Sequence, residues 1–151
     1  MEENDLILSS APSWPVRMSE MALACSGAFA CEEGRHLRAF YALLLAAPQA
    51  LMTWASALPA ADRIEALLRA GAFESAALAL LGDQCGYLFS RGPMGEALAT
   101  IVLPGSNNEC TANGDTLALA IAAALAQALS ENFQLPGAKR MAEHSPALRF
   151  N

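Results

Sequence analysis

The sequence predicts an α+β fold: a small antiparallel sheet of two or three strands flanked by helices, with a helical N-terminal half. Three observations predict it. Leu37, Phe40, Tyr41, Leu44 and Leu45 recur at three- and four-residue spacing, which lays an apolar stripe along one side of a helix. Two runs of strand-like composition, residues 85–90 and 96–103, flank a turn made of Gly92, Pro93, Met94 and Gly95. An alanine- and leucine-rich run over residues 116–130 follows Asp115 and Thr116, either of which suits the opening of a helix.

The elements follow in order. Ser13, Trp14 and Pro15 lead into a first helix over residues 17–30, weakened by Gly27 and ended near Glu32, Glu33 and Gly34. A second helix covers residues 35–47. Pro48 stops it and can open the next, which carries Leu51, Met52, Trp54 and Leu58. Asp62 suits the N-cap of a short helix over residues 63–70, where Glu65 and Arg69 stand one turn apart in the favourable order. Gly71 supplies a left-handed stop, and a further helix over residues 73–81 ends the same way at Gly82.

In the first strand Cys85, Tyr87 and Phe89 alternate with Gly86, Leu88 and Ser90. In the second, Ala97, Ala99, Ile101 and Leu103 face one way and Leu98, Thr100 and Val102 the other. Neither face is polar, so a helical layer is expected on each side of the sheet. Residues 109–112 suit a short third strand after a turn at residues 104–108. The last helix carries Leu117, Ile121, Leu125 and Leu129 as its stripe, and alanines keep its flanks thin.

At 151 residues the chain suits one compact domain over residues 16–135, with a loose segment at residues 1–15 and a tail at residues 136–151. With 54% apolar and 16% charged residues it can build a core. The net charge of −6 argues against nucleic acid, whose binders cluster Lys and Arg on one face. Residues 39–61 carry no charge, yet Pro48, Gln49, Thr53, Ser56 and Pro59 interrupt them, so two short buried helices fit better than a membrane span. Cys25, Cys31, Cys85 and Cys110 form no Cys-x-x-Cys pair and read as reduced thiols of a cytoplasmic protein.

Residues 73–131 carry a resemblance. Their order is a helix, a strand opened by Gly82, Asp83, Gln84, Cys85 and Gly86, a turn, a second strand, and a short polar strand. The last helix then starts at Gly114, Asp115 and Thr116 and runs on in alanine and leucine. This is similar to small phage and prophage proteins of the phage ABA-sandwich type, whose last helix opens in the same manner. Tyr87 and Phe89 match in part the aromatics of that family's first strands. The resemblance implies a small α/β sandwich carried by a mobile element, and it offers no catalytic residues.

Few residues suggest chemistry. His36 stands near Cys31, Glu32, Glu33 and Arg35, but Cys25 and Cys31 are six apart and lack zinc spacing, so a solvated helix start with a surface histidine is expected. Cys85 and Cys110 read as two buried thiols. The loop at residues 92–95 joins two strands and is no phosphate cradle. No metal or cofactor is expected. Trp14, Met18, Met21, Met52 and Trp54 read as core or, where exposed, as an adaptable partner-binding surface, and Arg91 and Met94 complete the candidate partner-binding set.

The expectation is therefore a non-enzymatic protein-interaction protein with a protein partner, no nucleic acid and no membrane. A phage-encoded inhibitor of a host defence protein is its sharper form. The alternatives are a small cysteine-dependent enzyme using Cys25, Cys31 or His36, and a structural homo-oligomer or homodimer built on the last helix and an exposed sheet edge.

Overall fold

The computed structural model describes residues 12–132, a helical N-terminal half followed by a three-stranded antiparallel sheet and a long closing helix. The predicted segments at residues 1–11 and 133–151 lie outside the described residues. In chain order the elements are α1 (Trp14–Gly27), a 3-10 turn (Ala30–Glu32), α2 (Glu33–Leu45), a second 3-10 turn (Gln49–Leu51), and the four-residue α3 (Met52–Ala55). These are followed by α4 (Ala61–Arg69), α5 (Phe73–Leu81), β1 (Gly86–Arg91), β2 (Ala97–Val102), β3 (Cys110–Gly114) and α6 (Leu117–Asn132).

Both N-terminal helices begin earlier than predicted. Pro15 sits in the first turn of α1, where its missing N–H costs nothing, so the helix starts at Trp14. The 3-10 turn after Phe29 carries the chain straight into α2 at Glu33, with Gly34 inside the helix. Gly34 lies close to α5: a Cβ there would stand 3.3 Å from the Phe73 ring, a tight contact. Asp62 does not cap α4; Ala60 holds that position without a side-chain bond, and Asp62 lies in the first turn, where an acid favours the helix dipole. Gly71 and Gly82 do follow their helices at positive φ, +73 and +76.

The uncharged stretch over residues 39–61 is divided among the end of α2, a 3-10 turn and α3. Among the described residues no helix is long and apolar enough to cross a membrane.

The small side chains along α6 let it become the centre of the molecule. Residues 118–126 are all buried, most of them alanine. The sheet packs on one side of α6 through β2 and β3, while α1, α2 and α5 enclose the rest. Thr116 is its cap, its Oγ1 accepting the Leu119 N–H at 3.2 Å. Asp115 serves elsewhere, accepting the Ala30 N–H at 2.7 Å and fixing the turn between α1 and α2.

Polar bonds tie the helical layer together. Ser130 Oγ donates to the Pro15 carbonyl at 2.9 Å, which joins α6 to α1, and Trp14 Nε1 donates to the Leu43 carbonyl at 2.8 Å. Tyr41 OH donates to the Pro59 carbonyl at 2.5 Å, holding the segment before α4. Across the surface, Arg38 grips Glu65 with two bonds of 2.9 and 2.8 Å, and Arg69 adds a longer contact of 3.5 Å.

The expectation of a helical layer on both faces of the sheet does not hold. Ala99, Ile101 and Cys110 are buried under α6, but on the opposite face none of Leu88, Leu98, Thr100, Val102, Thr111 and Asn113 is buried. Thr100 and Thr111 face each other there and share a 2.7 Å hydrogen bond. Leucine, valine and threonine on that face are compatible with solvent as well as with packing, so composition could not decide the matter.

Candidate functional site

The sheet order β1-β2-β3 leaves two edges, and the chain treats them differently. The hairpin between β1 and β2 is closed by Gly92 N–H to the Glu96 carbonyl at 2.8 Å and Gly95 N–H to the Gly92 carbonyl at 3.0 Å. Gly95 has φ +89, so the loop is a tight turn followed by one left-handed residue. This geometry turns the backbone of Gly92 toward β2. Antiparallel ladders alternate, and the register pairs Ser90 with Leu98, Leu88 with Thr100 and Gly86 with Val102. Those β1 residues therefore bond to β2, and Tyr87, Phe89 and Arg91 point their N–H and C=O groups outward.

By the same alternation Thr111 and Asn113 face outward on β3. There α1 lies alongside, and Ser26 Oγ donates to the Asn113 carbonyl at 2.8 Å and reaches its Oδ1 at 2.7 Å. The β3 edge is thus partly taken up within the chain.

The β1 edge also carries apolar side chains. Because α6 lies over β2 and β3, β1 overhangs it. Tyr87 remains 56% exposed although it is on the α6 side, and its ring stacks on Phe89 with centroids 4.7 Å apart at 16°. Leu88, on the other face, is 68% exposed, and Met94 at the hairpin tip is 88% exposed. Arg91 closes the strand, also exposed. A six-residue edge strand with exposed apolar groups on both faces and no proline or lysine to blunt it is a template for another strand.

The other partner-binding candidates do not gather here. Met18 is wholly buried in the core. Trp14 and Met21 are half-buried; Trp14 is held by its bond to Leu43, and Met21 lines a shallow groove between α1 and α2 with Ala24, Ala39 and Ala42. Trp54 is half-buried in a cleft with Leu51, Leu103, Pro104 and Leu129. The Met52 side chain lies outside the described residues. Only Arg91 and Met94 join the β1 edge. Tyr87 and Leu88 were missed as candidates because alternation alone treats them as ordinary strand positions; the adjacent tyrosine, leucine and phenylalanine before a glycine-proline turn were the available signal.

The thiol and histidine candidates are scattered. Burial pushes the Cys25 thiol up to about 12 and raises Cys85 as well. Cys110 is pushed up to about 12 by burial, and its Sγ donates to Glu131 Oε1 at 3.3 Å. Cys85 and Cys110 do not meet, since β2 stands between their strands, and all four cysteines are free. Cys31 is exposed on the first 3-10 turn. The His36 ring sits with Nδ1 3.0 Å from the Glu32 carbonyl, and the Glu32 carboxylate is engaged by the Phe29 N–H and by Arg35. Among the described residues no group of three His, Cys, Asp or Glu is placed to hold a metal. The cleft at Trp54 holds about 150 Å³, and the more open groove at Met21 holds about 480 Å³.

Comparison with protein-family models, with curated proteins and with solved structures finds no match to this chain.

Proposed function

We propose that this protein works without catalysis, by binding another polypeptide through strand addition at the β1 edge. The observation that carries this reading is the coincidence on one strand of outward backbone groups at Tyr87, Phe89 and Arg91 with exposed side chains at Tyr87 and Leu88. Main-chain bonds would supply affinity, and the alternating side chains specificity. The high pKa of Cys25 counts against that thiol as a nucleophile, since a neutral thiol reacts poorly. A host defence protein, the partner in the sharper form of the interaction reading, is one chain that such an edge could take.

The test is site-specific photocrosslinking in bacterial cells expressing the protein. A crosslinking residue at Leu88 is expected to capture a polypeptide, and the same residue at exposed Arg63 on α4 is not. Equal capture at both positions, or none at Leu88, overturns the reading.

A further inference from the structure

We propose that the chain taken up by β1 is a second copy of the same protein, paired antiparallel about a two-fold axis at Phe89; this rests on the strand-addition reading above. A two-fold strand pair is self-complementary by construction, so one surface must satisfy itself. The β1 edge meets that condition in one register. Opposing Phe89 with its own copy sets Tyr87 against Arg91 of the other strand, and Arg91 against Tyr87. All three outward-facing residues of each copy then stand in hydrogen-bonded positions, so that no outward N–H or C=O of Tyr87, Phe89 or Arg91 is left over. Sliding by two residues toward either end strands at least one of them.

Side-chain chemistry selects the same register. Tyr87, Phe89 and Arg91 lie on the α6 side of the sheet, as their partners Ile101, Ala99 and Ala97 do. Self-pairing therefore places each Arg91 guanidinium beside a tyrosine ring, a favourable cation–π arrangement. It also brings the two Tyr87–Phe89 stacks together. They fill the space left because α6 covers β2 and β3 and stops short of β1. On the open face each Leu88 lies opposite Ser90. β1 carries no acid, and the two Arg91 side chains stand four residues apart along the ladder, about 14 Å, near or beyond the range of strong repulsion.

The assembly closes at two copies. Pro93 stands in the turn that follows β1 and has no N–H to extend the ladder. The far edge of the sheet is partly taken up, because α1 lies alongside it and Ser26 holds the Asn113 carbonyl. The product is a continuous six-stranded sheet with a helix α6 on each half.

Light scattering over a hundredfold range of concentration tests this. The expected mass rises to twice the 15.8 kDa of one chain. Tyr87→Lys places two like-charged pairs across the ladder and is expected to weaken the dimer about tenfold. Because Tyr87 is more than half exposed, circular dichroism of that variant should match the parent. The double variant Tyr87→Lys, Arg91→Glu replaces those pairs with opposite charges and is expected to restore most of the lost affinity. A chain that stays at 15.8 kDa throughout, or a dimer indifferent to Tyr87→Lys, overturns self-pairing. Capture of a different polypeptide at Leu88 by a monomeric chain would overturn it too, and would leave strand addition itself standing.

Discussion

Gly114 in β3 lies so close to Ala120 in α6 that a Cβ on it would fall 2.6 Å from the Ala120 backbone nitrogen and 3.0 Å from the Leu119 carbonyl carbon. No flexible side chain stands there to give way. Gly114→Ala must push β3 off α6, and the expected cost is about 3 kcal/mol, at the upper end for an overpacked core. Urea denaturation checks it. An alanine variant within about 0.5 kcal/mol of the parent, the usual margin for surface changes, would show that β3 and α6 can separate freely.

Ser130 is buried on α6, with its hydroxyl bonded to the Pro15 carbonyl. Ser130→Ala removes that bond between α6 and the start of α1. A loss of about 1–2 kcal/mol is expected. Amide exchange should accelerate first over the opening turns of α1, and a uniform acceleration through the sheet would contradict this assignment.

The thiols give a pH dependence of definite sign. Cys25 titrates near 9.0 when unfolded and is pushed up to about 12 by burial in the fold. Above pH 9 the unfolded chain releases this proton and the folded chain keeps it, so stability falls as pH rises. The slope approaches about 1.4 kcal/mol per pH unit per such thiol, as an order of magnitude. Denaturant midpoints at successive alkaline pH values should show a decline that Cys25→Ala reduces.

Exposure separates the same thiols kinetically. Cys31 is exposed and Cys25, Cys85 and Cys110 are buried. One rapid iodoacetamide adduct at Cys31 is expected, with the other three modified only through unfolding. Peptide mapping after brief labelling checks this, and early modification at Cys25 would contradict its burial.

Glu65 receives two hydrogen bonds from Arg38 and a further contact from Arg69, which hold its carboxyl below the usual 4.5. Any stability it lends is present above its unfolded pKa and is lost as pH falls through the lower folded value. The pair is exposed to solvent, so the effect is small. Carbon-detected NMR titration of Glu65 should give a midpoint that rises in Arg38→Ala.

The chain was legible wherever an element carries its own signal. The helix at residues 73–81 and the hairpin were readable from apolar spacing and from the glycines and proline between the strands. Thr116 and Asp115 were equally good caps on paper, because both residue types can accept a first-turn N–H. What separated them was the distant Ala30 N–H, which claims Asp115. Asp62 misled for the same reason: a capping residue only caps if the chain enters the helix at its position, and here Tyr41 holds the Pro59 carbonyl and α4 begins at Ala61.

Local physics written in the sequence determined the α+β class, the hairpin and the positions of most helices. Tertiary structure alone decided that α6 is enclosed, that one face of the sheet is left open, and that α1 takes up part of the β3 edge while β1 lies beyond α6. Those outcomes depend on where α6 comes to rest across three strands. Its alanines allow close approach on every side and so leave the choice to long-range packing, with Gly114 admitting the helix over β3 and β1 left beyond its reach.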